Sequence, residues 1–241
     1  MSDALKNKVA LITGATRGLG KALALEYANR GCDVILVGRN RERLEQVQDE
    51  VLSSHPAVRV WKRVCNLADK QEVVDLAVQL KNQVVVDILV NCAGVFPVGT
   101  LGDVSVEQYE ECMAVNVTAP FLLMRELSPA MIENKWGRII NIASSSAYGG
   151  GPLTSTYCAS KHALLGLSRS LYKELKEFGI RVQCVSPGSI QTDMGRAVEK
   201  LGQQFNTFMT AAEVAHYVVY NSSLNGNLVC EELRLNRVHV Q

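Results

Sequence analysis

Short apolar runs alternate along the chain with longer amphipathic stretches, and this alternation predicts the order of strands and helices. Apolar runs of about 4–8 residues fit strands that are covered on both faces. The predicted strands span residues 9–12, 33–37, 58–64, 87–90, 138–142, 181–185 and 228–235. The predicted helices span residues 19–29, 41–53, 70–81, about 106–134, 155–178 and 211 to about 221.

Strands that alternate with helices in this way predict an α/β fold, in which helices cover both faces of a doubly wound parallel sheet. We expect a Rossmann-like sheet of about seven strands flanked by helices. No repeat or linker interrupts the pattern, so residues 1–241 are expected to form a single domain. Ligands of such sheets bind beyond the carboxyl ends of the strands.

Composition and charge restrict the functional classes. Apolar residues make up 47% of the chain and charged residues 20%, which is typical of a globular protein with a large core. The net charge of +1 gives no field that would attract nucleic acid or a membrane surface, and no apolar run approaches the ~20 residues of a membrane span. Seven scattered cysteines form no C-x-x-C pair, which predicts reduced thiols, no metal site and a cytoplasmic location.

A glycine-rich turn follows the first predicted strand and opens the first helix. It reads Thr-Gly-Ala-Thr-Arg-Gly-Leu-Gly over residues 13–20. Such a turn could be merely flexible, but between a strand and a helix it predicts a dinucleotide site, with the pyrophosphate at the N-terminus of the helix. The residues predicted to contact the cofactor here are Gly14, Thr16, Arg17, Gly18, Leu19 and Gly20.

The end of the second strand indicates which cofactor binds. NAD sites usually carry an acidic residue there for the ribose 2′-hydroxyl, whereas this chain has Arg39. Together with Arg17, Arg39 could clamp a 2′-phosphate, which favours NADP(H) over NAD. The alternative is that Arg39 and Arg41 are solvated charges at the start of a helix.

Three polar residues suggest carbonyl chemistry. Tyr157 and Lys161 are one helical turn apart, so they share a face, and Ser144 follows a predicted strand. The Lys161 ammonium is expected to lower the pKa of Tyr157, which could then serve as a proton donor. Ser144 could donate a hydrogen bond to a substrate carbonyl oxygen. A Tyr-x-x-x-Lys pair alone is usually an exposed surface pair without a function, so the assignment of carbonyl chemistry depends on its combination with the glycine-rich turn.

Taken together, these motifs resemble those of the short-chain dehydrogenase/reductases in their single-domain form, over essentially the full chain. Besides the glycine-rich turn and the Ser144, Tyr157 and Lys161 set, the matching features are Asn-Cys-Ala-Gly at 91–94, Asn116 in the long helix, and Pro-Gly-x-x-x-Thr at 187–192.

The resemblance implies hydride transfer from NADPH to the carbonyl group of a small molecule. It implies that Tyr157 is the general acid, that Lys161 lowers the pKa of Tyr157 and binds the nicotinamide ribose, that Ser144 orients the carbonyl, and that Asn116 holds a water in a proton relay. The alternatives are that Asn116 caps or kinks its helix and that Pro187-Gly188 is a simple turn. Further implied cofactor contacts are Asn66, Leu67, Asn91, Ala93, Gly94, Pro187, Gly188, Ile190 and Thr192.

The chain departs from the family pattern at three places. Asn66 stands where an aspartate usually contacts the adenine, Cys92 replaces an asparagine, and the C-terminus lacks the usual glycine-rich tail. That C-terminus resembles those of sepiapterin reductases and 3-hydroxy acid dehydrogenases more than those of 3-oxoacyl-acyl carrier protein reductases. The substrate therefore stays open, with 3-oxoacyl-acyl carrier protein reductase and a sepiapterin reductase-like activity as alternatives.

Two segments, residues 148–154 and 194–209, are expected to shape the substrate pocket, and the second lies in a substrate-binding segment at about 192–210. Arg196 is the one candidate clamp for a carboxylate.

Apolar residues on the helices at 106–134 and 155–178 predict a homodimer or homotetramer. The rival classes are a non-catalytic NADP sensor, which has no need for all of Ser144, Tyr157 and Lys161; a nucleotide-sugar epimerase, which needs a further domain; and a nucleic-acid-binding protein, for which no basic stripe is present.

Overall fold

Strands form one parallel sheet in the computed structural model, which describes residues 4–199 and 201–238. The expected domain therefore includes residues 1–3, 200 and 239–241, which lie outside the described residues. The strand order is β3-β2-β1-β4-β5-β6-β7, which confirms the predicted doubly wound sheet. The strands are β1 (Val9–Thr13), β2 (Asp33–Gly38), β3 (Val60–Val64), β4 (Ile88–Asn91), β5 (Gly137–Ile142), β6 (Ile180–Pro187) and β7 (Glu232–Leu235).

Helices cover both faces of this sheet. Within the described residues they are α1 (Gly18–Asn29), α2 (Arg41–Ser54), α3 (Lys70–Lys81), α4 (Val106–Met113), α5 (Ala119–Glu133), α6 (Ser155–Leu175), α7 (Asp193–Glu199) and α8 (Ala211–Ser223). No helix in this part of the chain is both long and apolar enough to span a bilayer.

The core is split into two layers by the sheet. Successive strand residues point to opposite faces. Ala10 and Ile12 of β1 therefore pack with residues of α1, α2 and α8, whereas Val9 and Leu11 pack with residues of α3 and α5. All strand residues of β1, β2 and β4 are buried, as the continuous apolar runs predict.

The long helix predicted over residues 106–134 is interrupted by one π-helical turn, Ala114–Thr118, between α4 and α5. The amide of Ala119 donates to the carbonyl of Ala114, five residues earlier, instead of four. Pro120 follows and has no N–H to donate to the carbonyl of Asn116. The apolar periodicity alone predicts one unbroken helix and was wrong on this point, because a one-residue π insertion hardly changes the apolar face.

The segment after β6 also differs from the prediction. It contains the short helix α7, which the sequence analysis treated only as part of the substrate segment. The last strand begins at Glu232, later than predicted, and pairs in parallel with β6 at the sheet edge. The strand order reverses direction between β1 and β4, so a crevice opens beyond the carboxyl ends of these strands.

Candidate active site

One large cavity of about 1000 Å³ lies beyond the carboxyl ends of the strands. It brings together residues from the glycine-rich turn, the ends of β2, β3, β4 and β5, helix α6 and the segment after β6. The residues predicted to contact the cofactor that line it are Gly14, Thr16, Arg17, Gly18, Leu19, Gly20, Arg39, Asn66, Leu67, Ala93, Gly94, Tyr157, Lys161, Pro187, Gly188, Ile190 and Thr192.

The glycine-rich turn is so tight that side chains are excluded at two positions. A Cβ on Gly20 would lie 2.2 Å from the carbonyl oxygen of Gly14, so α1 can pack on the turn only without one. Gly14 has a φ of 68°, and a Cβ there would lie 2.8 Å from the Cα of Ala93. The exposed N-terminus of α1 therefore faces the cavity across bare backbone, which suits a phosphate group.

Thr13 joins the ends of two neighbouring strands beside this turn. Its side-chain oxygen accepts hydrogen bonds from the amides of Cys92 (3.0 Å) and Ala93 (3.1 Å). The bonds fix the loop after β4 against the end of β1. This role of Thr13 cannot be predicted from the sequence, because nothing local to Thr13 shows which amides its side chain meets.

Three arginine side chains line the cavity. Arg17 pairs with Asp193 of α7, and the Arg39 Nη1 lies 3.6 Å from the Glu111 Oε1. Arg39 directly follows β2, and Arg43, in the first turn of α2, was not among the predicted contacts. Arg39 and Arg43 therefore give the end of the cavity near β2 charge that can accept a phosphate.

Two hydroxyl groups and one ammonium group lie in the cavity beyond the carboxyl end of β5. Ser144 follows β5, while Tyr157 and Lys161 are one turn apart on α6, and all three line the same cavity. The nearby Ser144 hydroxyl favours the Tyr157 phenolate, but burial outweighs this effect and raises the pKa of Tyr157 to about 12. The Lys161 Nζ donates to the carbonyl of Ile142 at 2.7 Å and lies 5.6 Å from the centre of the Tyr157 ring.

Lys161 itself is destabilised as a cation, because burial lowers its pKa to about 8. The expectation that Lys161 lowers the pKa of Tyr157 stays a prediction. Both groups are buried, and burial opposes the charge on each. In the structure Ser144 is the residue that favours the phenolate.

One protein family matches most of the chain. The family described as short chain dehydrogenase matches residues 8–201. The chain belongs to the short-chain dehydrogenase family. It is therefore an oxidoreductase, as the sequence analysis predicted.

Three relatives show how far the similarity extends. The 3-oxoacyl-(acyl-carrier-protein) reductase FabG of Rickettsia conorii is 35% identical over 229 residues, covering 91% of this chain and 90% of the relative. A metagenomic short-chain oxidoreductase solved in complex with NADP is 30% identical, with a TM-score of 0.85 over 98% of this chain and 100% of the other. The L-sorbose reductase of Gluconobacter frateurii, complexed with NADPH and L-sorbose, is 27% identical, with a TM-score of 0.89 over 98% and 97%.

Two asparagines that the short-chain dehydrogenase resemblance assigned to the site do not line the cavity. The Asn91 side chain is buried and donates to the Asn141 Oδ1 at 2.8 Å, so it links β4 to β5. The Asn116 side chain bonds to both backbone groups of Val95 and to Ser160. Asn116 lies in the π-helical turn, and Pro120 has no N–H to donate to the Asn116 carbonyl. The proposed proton relay and the alternative of a kinked helix both stay predictions.

Asn66 lines the cavity, but its side chain is partly engaged elsewhere. The Asn66 Oδ1 accepts a hydrogen bond from the backbone N–H of Ala68 at 3.2 Å, and the backbone N–H of Asn66 donates to the Glu72 carboxylate. The Asn66 side chain therefore supports the turn before α3 with the same oxygen that would accept from an adenine amino group.

The expected substrate segments are corrected in part. Leu153 and Met194 line the cavity as predicted. Tyr148 and Arg196 do not: Tyr148 points toward β7, and the Arg196 guanidinium stacks on Phe205 at 4.4 Å from the ring centre. The predicted carboxylate clamp therefore packs on an aromatic ring instead. Phe205, Phe208 and Met209 also lie outside the cavity lining, and Phe208 is buried.

Proposed function

We propose that this chain reduces the carbonyl group of a small apolar molecule to an alcohol, with NADPH as the hydride donor. The observation that carries the proposal is the convergence of Ser144, Tyr157 and Lys161 on one cavity that also contains the glycine-rich turn. A protein that only senses the nucleotide needs the turn but not this set of side chains.

The residues that line the cavity fit NADP(H). The backbone at Gly14, Gly18 and Gly20 offers space and amide groups for the pyrophosphate, and Arg17 and Arg39 with Arg43 offer charge for a 2′-phosphate. Solved relatives carry NADP or NADPH. The other proposed contacts are Thr16, Leu19, Asn66, Leu67, Ala93, Gly94, Pro187, Gly188, Ile190 and Thr192. When bound, NADPH supplies the hydride.

The chain's own residues then manage the proton and the developing charge. Tyr157 stays protonated at neutral pH, because burial raises its pKa to about 12, so it can donate a proton to the substrate oxygen. Ser144 lies at the phenol and can donate to the same oxygen. Lys161, whose Nζ donates to the Ile142 carbonyl, would bind the nicotinamide ribose of a bound cofactor, and Asn116 would hold a water in the proton relay.

The walls beside Tyr157 favour an uncharged, apolar substrate. Phe96 packs on the Tyr157 ring with 4.6 Å between the ring centres, and further apolar side chains complete this side. They are Leu153, Met194, Val198 and Leu201. Among the described residues, the charged side chains of the cavity are those of Arg17, Arg39, Arg43, Lys161 and Asp193. A 3-oxoacyl group, as in the name of the Rickettsia relative, fits such walls better than a polyhydroxylated ketose such as sorbose.

The test measures binding and turnover separately. We expect NADPH to bind more tightly than NADH, and the chain to oxidise NADPH with an acyl-chain 3-oxo thioester faster than with a ketose of similar size. Binding of NADPH without turnover of any carbonyl, a simple diketone included, would favour the sensor. A preference for the ketose would contradict the assignment of an apolar substrate.

We also propose that the chain forms a homodimer or homotetramer. Of the apolar residues on α5 and α6, Leu164 is buried within the chain, and Leu122, Leu167 and Leu171 are partly buried. Phe121 of α5 is 44% exposed. Leu101, Val106 and Tyr109, earlier in the chain, are also exposed. Exposed apolar side chains on such helices are commonly buried by a second copy. All seven cysteines are free, which supports the proposed cytoplasmic location.

A further inference from the structure

Ser144 is one end of a short rigid turn, and Tyr148 is the other. The residues between them form a single 3₁₀ turn, Ser145–Ala147, which Ser144 begins and Tyr148 ends. The Ala147 amide donates to the Ser144 carbonyl at 2.9 Å, and the Ser146 amide donates to the Ser144 side chain at 3.1 Å. A displacement of Tyr148 would therefore move the Ser144 hydroxyl.

Tyr148 is held from outside this turn by three charged residues. Its hydroxyl donates to the Glu232 Oε2 at 2.6 Å, and Glu232 accepts two hydrogen bonds from Arg169, one of them from Nη2 at 3.1 Å. The Arg234 guanidinium lies 4.2 Å from the centre of the Tyr148 ring. Burial and the bond to Glu232 raise the pKa of Tyr148 to about 12, so the phenol remains a donor.

The chain after Tyr148 provides little support of its own. It continues as Gly149, Gly150 and Gly151, and a Cβ on Gly149 or Gly150 would meet no atom within 4 Å. Glycines without packing leave the backbone free to rotate. On this side, the position of the turn therefore depends on the side-chain contacts of Tyr148.

The partners of Tyr148 come from distant parts of the sequence. Arg169 lies on α6, twelve residues after Tyr157, and Glu232 and Arg234 lie on the edge strand β7. Both β7 residues belong to the C-terminal stretch that departs from the usual glycine-rich tail of the family. This stretch is thus tied, through Tyr148, to the turn that carries Ser144.

We propose that Tyr148, anchored by Glu232 and Arg169, is a positioning residue that holds the Ser144 hydroxyl toward the Tyr157 phenol. The inference rests on the proposed function. Tyr148 lines no part of the cavity, so it acts on the reaction only through Ser144. Small displacements of a reacting group cost up to about 10²-fold in rate. We expect a fall in kcat of about tenfold when the anchor is lost.

The test compares Tyr148→Phe and Glu232→Gln in the wild type and in a Ser144→Ala background. Tyr148→Phe keeps the ring under Arg234 and removes only the bond to Glu232. The matched controls are Glu231→Gln, an exposed carboxylate one residue earlier, and Tyr217→Phe, an exposed tyrosine on α8. The readouts are kcat, KM for the carbonyl substrate and the Kd of NADPH.

We expect both anchor variants to lower kcat about tenfold with an unchanged Kd for NADPH, and to have no further effect once Ser144 is alanine. The inference is overturned if the wild type is active and neither Tyr148→Phe nor Glu232→Gln lowers its kcat. It is also overturned if the two substitutions lower kcat by the same factor with Ser144 as with alanine at that position. A Ser144→Ala variant with full activity also contradicts it. A wild type without reductase activity contradicts the proposed function and this inference together.

Discussion

Arg39 should determine how strongly the chain prefers NADPH over NADH. It follows β2 at the basic end of the cavity, with 65% of its side chain exposed and the Glu111 carboxylate 3.6 Å away. A 2′-phosphate bound there would compete with Glu111 for the guanidinium. We expect Arg39→Ala to weaken NADPH binding and to leave NADH binding nearly unchanged, because NADH has no phosphate at this position.

The size of the effect follows from the exposure of Arg39. A hydrogen bond to a charged group contributes about 1.5–3 kcal/mol, and solvent screening of an exposed side chain reduces this to about 1–2 kcal/mol. The Kd of NADPH should therefore rise roughly 5- to 30-fold. The exposed pair with Glu111 contributes at most about 1 kcal/mol, so Glu111→Gln should free Arg39 and tighten NADPH binding by up to about fivefold.

Fluorescence titrations of both cofactors provide the assay, and Arg41→Ala is the matched control. Arg41 begins α2 two residues after Arg39 but does not line the cavity, so its loss should change neither Kd appreciably. Added salt should weaken NADPH binding more than NADH binding. Equal losses for NADPH and NADH in Arg39→Ala, or no loss for either, would refute the assignment of the 2′-phosphate site.

Three further predictions follow from other parts of the structure. Gly20→Ala should weaken NADPH binding and lower the free energy of unfolding by about 1–3 kcal/mol, because the new Cβ would meet the Gly14 carbonyl. The control is Gly166→Ala on α6, where a Cβ would meet nothing within 4 Å and should not destabilise the chain. Equal losses of stability in denaturation experiments on the two variants would contradict this prediction. Burial lowers the pKa of Lys161 to about 8, so as pH rises Lys161 loses its proton in the folded state before it does in the unfolded state. Between pH 7 and 10, the free energy of unfolding of the wild type should therefore rise by about 2 kcal/mol relative to that of Lys161→Met. A difference between the two proteins that does not change with pH would argue against a buried ammonium. Phe121→Glu should dissociate the oligomer in light scattering, and a wild type that is monomeric at micromolar concentration would exclude the proposed assembly.

Much of the fold follows from local patterns in the sequence. The continuous apolar run of β1 is followed at once by the glycine-rich turn, and each signal restricts the other. The spacing of Tyr157 and Lys161 fixes them on one face of any helix, so their proximity needs no knowledge of the rest of the chain.

Other features depend on contacts that no local pattern contains. Asn91 reads as a cofactor contact in the sequence, but its partner Asn141 lies on the neighbouring strand. Tyr148 reads as a pocket residue, yet Glu232, far along the chain, draws it away from the cavity. The pKa of Tyr157 also depends on burial by the whole fold, which outweighs the effect expected from its neighbour Lys161.

The central claim is that Tyr157 donates the proton during carbonyl reduction. The most direct measurement is the kcat of Tyr157→Phe, together with its Kd for NADPH. The ring that packs on Phe96 remains in this variant, as does the bond from Lys161 to Ile142. We expect kcat to fall about 10²–10⁴-fold while the Kd of NADPH changes little. A Tyr157→Phe protein that keeps most of its reductase rate would contradict the mechanism.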